Sequence, residues 1–221
     1  MRQEFEKFSK SQGISSLSLD YHMKQVENSL TPYILEEREL RVTQMDIFSR
    51  LMMDRILWVA GEVNDRMSTV VQAQLMFLDS VDSRDITMHI DSPGGSVKSG
   101  LSMVDVIEYI KSDIVTINTG MAASMGSVLL GAGTKGKRHS LRFSKVMLHQ
   151  SSGGFRGNIQ DAKIDFEEWE KYNKILFDLL GGYCGKDPDQ VKQDASRDFW
   201  MDAEEAVKYG IIDSVITKKK Q

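Results

Sequence analysis

The 221-residue sequence has a single cysteine, no long apolar run and no excess of positive charge. Each shortage excludes a class of protein. With Cys184 alone, no intrachain disulfide can form, so the fold does not depend on oxidation and fits a reducing compartment. No stretch approaches the roughly 18 apolar residues of a membrane-spanning helix. The first thirty residues are polar and mixed in charge, without the apolar centre of a secretory signal. A cytoplasmic protein with no membrane partner is expected. The net charge of −4 and pI near 5.6 come with no basic stripe, which argues against a nucleic-acid partner. The basic run Lys218 to Lys220 reads as part of a solvated tail, 218–221. No metal-ligand spacing is present, and neither a metal nor a cofactor is expected.

What is there suffices for one packed core: 41% of the residues are hydrophobic. Residues 1–30 read as a leader, its periodicity interrupted by Ser9, Ser11, Gly13, Ser15, Ser16 and Ser18; a globular domain is expected over 31–217. In the middle of the chain strands and helices alternate. Residues 85–90 predict a strand running into the turn cluster Asp91-Ser-Pro-Gly-Gly-Ser96, followed by a helix over 97–111 with Leu101, Val104, Ile107 and Ile110 on one face. Residues 114–119 predict a β-branched strand that Gly120 breaks before a short apolar helix over 122–130. A strand over 144–148 ends at His149, and a long helix runs from Asn158, its N-cap, to Leu180. This rhythm predicts an α/β architecture with largely parallel strands. The long helix carries an aromatic stripe including Phe166, Trp169 and Tyr172, suited to the core or to a second subunit.

Several residues could carry chemistry. Ser124 sits in Gly-Met-Ala-Ala-Ser-Met-Gly-Ser at a predicted strand–helix junction, where small neighbours permit a sharp turn and close approach of a substrate. A serine becomes nucleophilic only when a base takes its proton. His149, at the end of an apolar strand and beside a loop, is placed to be that base. Asp194 and Asp198 are both candidates for a third member, and the residues alone do not choose between them. The Gly94-Gly95 pair can point backbone N–H groups into a site, with Gly95 and Met125 as candidate oxyanion donors. Gly131 to Lys137 matches most of a phosphate loop, but Arg138 stands where Ser or Thr would hold magnesium, and the stretch follows a helix.

Ser-Pro-Gly-Gly-Ser, Gly-Met-Ala-Ala-Ser-Met-Gly-Ser, Lys-Gly-Lys-Arg and Val-Met-Leu-His-Gln, in this order, closely resemble the ClpP family, the proteolytic subunits of the ATP-dependent Clp protease. Asp46-Ile-Phe-Ser-Arg-Leu51 and the run from Ala203 to Asp213 extend the likeness over residues 31–217. The resemblance implies a crotonase-like spiral of ββα units with a protruding handle helix. It implies a serine endopeptidase with Ser124 as nucleophile, His149 as base and Asp198, preceded by Arg197, as third member, with an oxyanion hole from Gly95 and Met125. Gly153, Gly154 and Phe155 are expected beside an extended substrate, and Trp169 and Arg197 at subunit contacts. Two stacked heptameric rings would enclose unfolded protein delivered by an AAA+ unfoldase of the ClpX, ClpA or ClpC kind. Where many members have proline after His-Gln, this chain has Ser151; at the unfoldase groove it offers Thr87, His89, Tyr109 and His139. A leader trimmed near Ser29 to Thr31 is a further expectation. The alternatives are a non-catalytic ring subunit, which should lack a triad member, and an acyl-CoA enzyme of the crotonase fold, which would not need all three.

Overall fold

The computed structural model describes residues 33–38, 41–153 and 158–217, with side chains described from Met45 onward. The expected leader, 1–30, and the basic tail from Lys218 lie outside these residues. The chain divides after Leu51 into two units. In the first, β1 (Tyr33–Arg38) and β2 (Arg41–Asp46) pair antiparallel, with Tyr33 opposite Asp46 and Arg38 opposite Arg41. Helix α1 spans Ile47–Met53.

The second unit is an α/β spiral around a seven-stranded sheet. β3 (Ile56–Ala60), β4 (Ile86–Ser92), β5 (Ile114–Ala123), β6 (Arg138–Leu141) and β9 (Ser214–Ile216) run parallel in that order. Parallel neighbours need crossovers, and helices supply them. α2 (Asp65–Val81) links β3 to β4, α3 (Val97–Tyr109) links β4 to β5, and α4 (Met125–Gly131) follows β5. Asn64 caps α2 by accepting from the Met67 N–H, and Ser96 caps α3 by accepting from the Ser99 N–H. α2 and α3 meet through small polar residues: the buried Ser68 hydroxyl donates to the Ser99 carbonyl at 2.7 Å. All seven residues of α4 are buried, which explains its unbroken apolar and small-residue sequence.

β5 does two jobs. Its first half, Thr116 to Asn118, pairs with β6; its last residues, Met121 to Ala123, pair with β7 (Lys145–Leu148). Gly120 does not end the strand, contrary to the expectation from sequence. The register against β4 passes from Ile90 opposite Asn118 to Ser92 opposite Ala122, so β5 carries extra residues in a bulge around Gly120. A Cβ on Gly120 would lie 2.5 Å from an Asp91 carboxylate oxygen, and that carboxylate accepts the Met121 N–H at 3.0 Å. The bulge redirects the strand toward β7, and the next helix starts only at Met125.

β7 pairs antiparallel with β8 (Phe199–Met201), Leu148 opposite Phe199. α5 (Ile159–Cys184) begins at the expected cap, Asn158, whose side chain accepts from Gln160 and Asp161, and continues past Leu180 to a left-handed C-cap at Gly185. Leu176, Phe177 and Leu180 join the core, whereas Ile159, Ile164 and Phe166 are exposed in the protomer. α6 (Pro188–Asp194) and α7 (Ala203–Tyr209) complete the unit, α7 with a reciprocal capping box between Asp202 and Glu205. Buried Arg138 ties the C-terminal segment down: it pairs with Asp213 at 2.7 Å and donates to the Tyr183 and Gly210 carbonyls. Lys137 pairs with Asp85 and Asp113, so the last lysine of the phosphate-loop lookalike is engaged by carboxylates.

Candidate active site

Three adjacent strand ends gather the candidate residues. β5 and β7 are parallel with Ala123 opposite Met147, so Ser124 and His149 emerge at the same edge. The Ser124 N–H donates to the Met147 carbonyl at 2.9 Å, fastening the serine to the strand that carries the histidine. The antiparallel β7–β8 register then sets Asp198 beside His149. The His149 Nδ1 lies 3.2 Å from Asp198 Oδ1. Ser124 and His149 line one narrow cavity with Val97, Met125, Leu176 and Phe177.

Ser124 has φ 54° and ψ −122°, in a region that residues with a Cβ rarely occupy. Such a conformation costs on the order of 1–3 kcal/mol and persists only where the surroundings impose it. Here the imposing contacts are the β5–β7 ladder before it and α4 after it, where the Ser127 N–H and hydroxyl both donate to the Ser124 carbonyl. The result is an elbow between strand and helix.

The Gly94-Gly95 turn packs against this elbow. Ser92 organises it: its hydroxyl donates to the Gly61 carbonyl at 2.6 Å and accepts the Gly94 N–H at 3.1 Å. Val63 bridges to Gly95, its N–H donating to the Gly94 carbonyl and its carbonyl accepting the Ser96 N–H. A Cβ on Gly95 would stand 2.3 Å from the Val63 carbonyl oxygen. A Cβ on Gly94 would stand 2.6 Å from the Ser124 Cβ and 3.0 Å from the Met125 nitrogen. Among the described residues, neither the Gly95 nor the Met125 N–H has a backbone acceptor in a turn or cap. Met125 is the first residue of its helix, where N–H groups have no intrahelical partner.

The rival carboxylate is engaged elsewhere. Asp194 accepts from the Tyr209 hydroxyl at 2.9 Å and from Gln190 at 2.8 Å. Arg197 is exposed next to Asp198. Gly153 abuts Trp169, whose ring carbons would lie 3.1 Å from an added Cβ. Gly154 and Phe155 fall outside the described residues. Burial pushes the Cys184 thiol up to about 11, although Arg138 and Lys186 pull it back, so it stays protonated at neutral pH. His89 also reads as structural: it stacks on Trp58 at 4.8 Å, and burial lowers its pKa. His139 bonds to Ser214. Among the described residues no cluster of His, Cys, Asp and Glu could hold a metal ion, and no helix is long and apolar enough to cross a membrane.

Three further residues stand out in the structure that residue type alone does not single out. Gly94 was visible only as one of a glycine pair, and its contact with Ser124 needs the fold. Asn173 on α5 accepts from both the Ser151 N–H at 3.1 Å and the Ser151 hydroxyl at 2.8 Å, two residues beyond His149. Trp58, opposite His89 across β3 and β4, places an exposed indole against His89.

Comparison with known proteins gives a consistent result. The family model described as Clp protease matches residues 37–219. An ATP-dependent Clp protease proteolytic subunit of Bacteroides fragilis is 49% identical over 218 residues, covering 98% of this chain and 99% of the relative. Proteins of the same name from Bacteroides thetaiotaomicron and Porphyromonas gingivalis are 48% and 45% identical, each over at least 98% of this chain and 99% of their own length. With the α/β spiral and the strand-end site described above, these matches establish that the chain belongs to the Clp protease family.

Proposed function

We propose that the chain is a serine endopeptidase and the proteolytic subunit of an ATP-dependent Clp protease, with Ser124 as nucleophile, His149 as base and Asp198 as the residue that orients it. The observation carrying this reading is that the β5, β7 and β8 ends bring a strained serine, a histidine and a carboxylate to one edge, with His149 bonded to Asp198.

The chemistry follows from the hydrogen bonds. With Nδ1–H donating to Asp198, the lone pair of His149 resides on Nε2, free to take the Ser124 proton as the hydroxyl oxygen attacks a peptide carbonyl. Asp198 then stabilises the imidazolium. The carbonyl oxygen becomes an oxyanion, which the Gly95 and Met125 N–H groups receive; each donor of this kind contributes on the order of 100- to 1,000-fold in rate. His149 returns the proton to the leaving amine, and water, activated by the same imidazole, hydrolyses the acyl-enzyme. Residues 153–155 would lie along an extended substrate.

The exposed apolar residues of α5, Ile159, Ile164 and Phe166, suit burial against a second ring, with Trp169 and Arg197 near the same contact. Stacked heptamers would enclose the sites. An AAA+ ATPase would supply unfolded protein, as the relatives' ATP-dependent name indicates, and Trp58 with Tyr109 would belong to its docking surface. The expected organisation is a trimmed leader, the peptidase domain 31–217 and a solvated tail, in the cytoplasm.

Replacing Ser124 by Ala tests the reading. Peptide hydrolysis should vanish while assembly size and melting temperature are kept, and acyl-CoA turnover should be absent in both proteins. Wild-type hydrolysis by Ser124→Ala would refute it.

A further inference from the structure

Among the described residues the His149 imidazole has one orienting hydrogen bond, to a carboxylate whose side chain is 62% exposed. β7 ends at Leu148, so from His149 onward the strand ladder no longer holds the backbone. Two other restraints take over. The Gln150 N–H donates to the Ala195 carbonyl at 3.2 Å, on the segment that leads into Asp198. The Ser151 N–H and hydroxyl then converge on one atom, Asn173 Oδ1. Asn173 lies where α5 passes from its exposed first half to the core, three residues before Leu176. Asn173 and Ser151 share the narrow cavity with Ser124 and His149. They also form part of a second cavity, of about 530 Å³, lined by Phe166, Trp169 and Phe177.

We propose that Asn173 is a positioning residue for peptide hydrolysis. Through Ser151 it fixes the loop after His149 and so sets the register of the imidazole against Ser124. The proposal rests on the Ser124–His149–Asp198 reading. Its physical basis is that catalysis tolerates little misplacement: a shift of about 1 Å can cost roughly 100-fold in rate. Removing the amide leaves the Ser151 N–H and hydroxyl without their shared acceptor at a point that ties this loop to α5. It touches neither the nucleophile ladder nor the Asp198 bond.

The experiment uses the full-length assembled protein, a fluorogenic peptide, and the variants Asn173→Ala, Asn173→Asp, Ser151→Ala, Ser151→Ala with Asn173→Ala, and Ser124→Ala. Asn173→Ala should lower kcat by about 10- to 100-fold with KM within about twofold, at unchanged assembly size. Asn173→Asp keeps the acceptor oxygen and should recover most of kcat. Ser151→Ala, which removes one hydroxyl and leaves the N–H bond, should lose a smaller part, about threefold, and the double variant should be no worse than Asn173→Ala. Wild-type kcat in Asn173→Ala, failure of Asn173→Asp to recover it, or additive losses in the double variant would each overturn the proposal. Should Asn173→Ala fail to assemble, Ser151→Ala decides, and an unchanged kcat there overturns it. Hydrolysis by Ser124→Ala would instead bring down the triad reading; an inactive Ser124→Ala beside a fully active Asn173→Ala sinks this inference alone.

Discussion

Gly94→Ala adds one methyl group against the candidate nucleophile. Gly94 has φ 95°, so any Cβ there is strained, by about 1–2 kcal/mol. The new carbon would also be 2.6 Å from the Ser124 Cβ and 2.8 Å from the Ala123 carbonyl oxygen. Carbon atoms in contact prefer about 3.5–4.0 Å, so relief requires a displacement of about 1 Å. The Gly94 side cannot yield freely, because its carbonyl and the neighbouring Ser96 N–H are bonded to Val63. The elbow must therefore move, carrying Ser124 and Met125 with it. Misplacing the nucleophile by about 1 Å accounts for roughly 100-fold in rate. Disturbing the Met125 donor adds a further factor, so kcat/KM should fall by about 1,000-fold or more. The cost in stability should be only about 2 kcal/mol, because the sheet and α4 persist. The assays are peptide hydrolysis, thermal melting and the rate of fluorophosphonate labelling. A folded Gly94→Ala protein that labels at the wild-type rate would refute the packing argument.

Other outcomes follow from the same geometry. Asp198→Ala should lower kcat by on the order of 1,000- to 10,000-fold, whereas Asp194→Asn, which alters the Tyr209 contact, should leave most of it; equal losses in peptide assays would contradict the choice of Asp198. Burial of Asp213 opposes its ionisation, but the hydrogen bonds and charge of Arg138 and the Gly136 N–H outweigh it and hold the carboxyl below its usual range. Its stabilising contribution is therefore complete above the unfolded value, about 3.9, and is lost as pH falls through the depressed folded value. Asp213→Asn should destabilise the protein at neutral pH by about 3 kcal/mol and flatten this acid limb in denaturant titrations; an unchanged limb would contradict the assignment. Ile164→Glu on the exposed half of α5, or Arg197→Glu beside Asp198, should shift the assembly toward smaller species in native mass spectrometry. An intact large assembly in both variants would argue against α5 and Arg197 as contact sites.

The parts of the fold most legible in the sequence are those whose signals are local. The strand into Ser92, the capped helix after Ser96 and the Asn158 cap each announce themselves by a short run of residues. α2 escaped notice because its buried residues, Ser68, Val71, Leu75 and Leu78, are interleaved with exposed Val70, Met76, Phe77 and Val81, which blur the apolar stripe. Gly120 was misread because a glycine after a β-branched run looks the same whether a strand ends or bulges, and the distinction lies in Asp91, 29 positions earlier on the neighbouring strand. β8 and β9, three residues each, are too short to show a period. At the site, Ser124 and His149 could be nominated from residue type and neighbours. Choosing between Asp198 and Asp194 required either the family resemblance or the β7–β8 register, since the two aspartates flank Ala195-Ser196-Arg197 only four positions apart. The positive φ of Ser124 leaves no trace in residue type, because its neighbours impose it.

The most direct test of the account is the intact mass of the protein after treatment with a fluorophosphonate, followed by peptide mapping of the adduct. A serine reacts with this reagent when a base activates it and donors receive the developing oxyanion. A single adduct is expected, on Ser124, absent in His149→Ala. An adduct on another residue, or none on the assembled active protein, would contradict it.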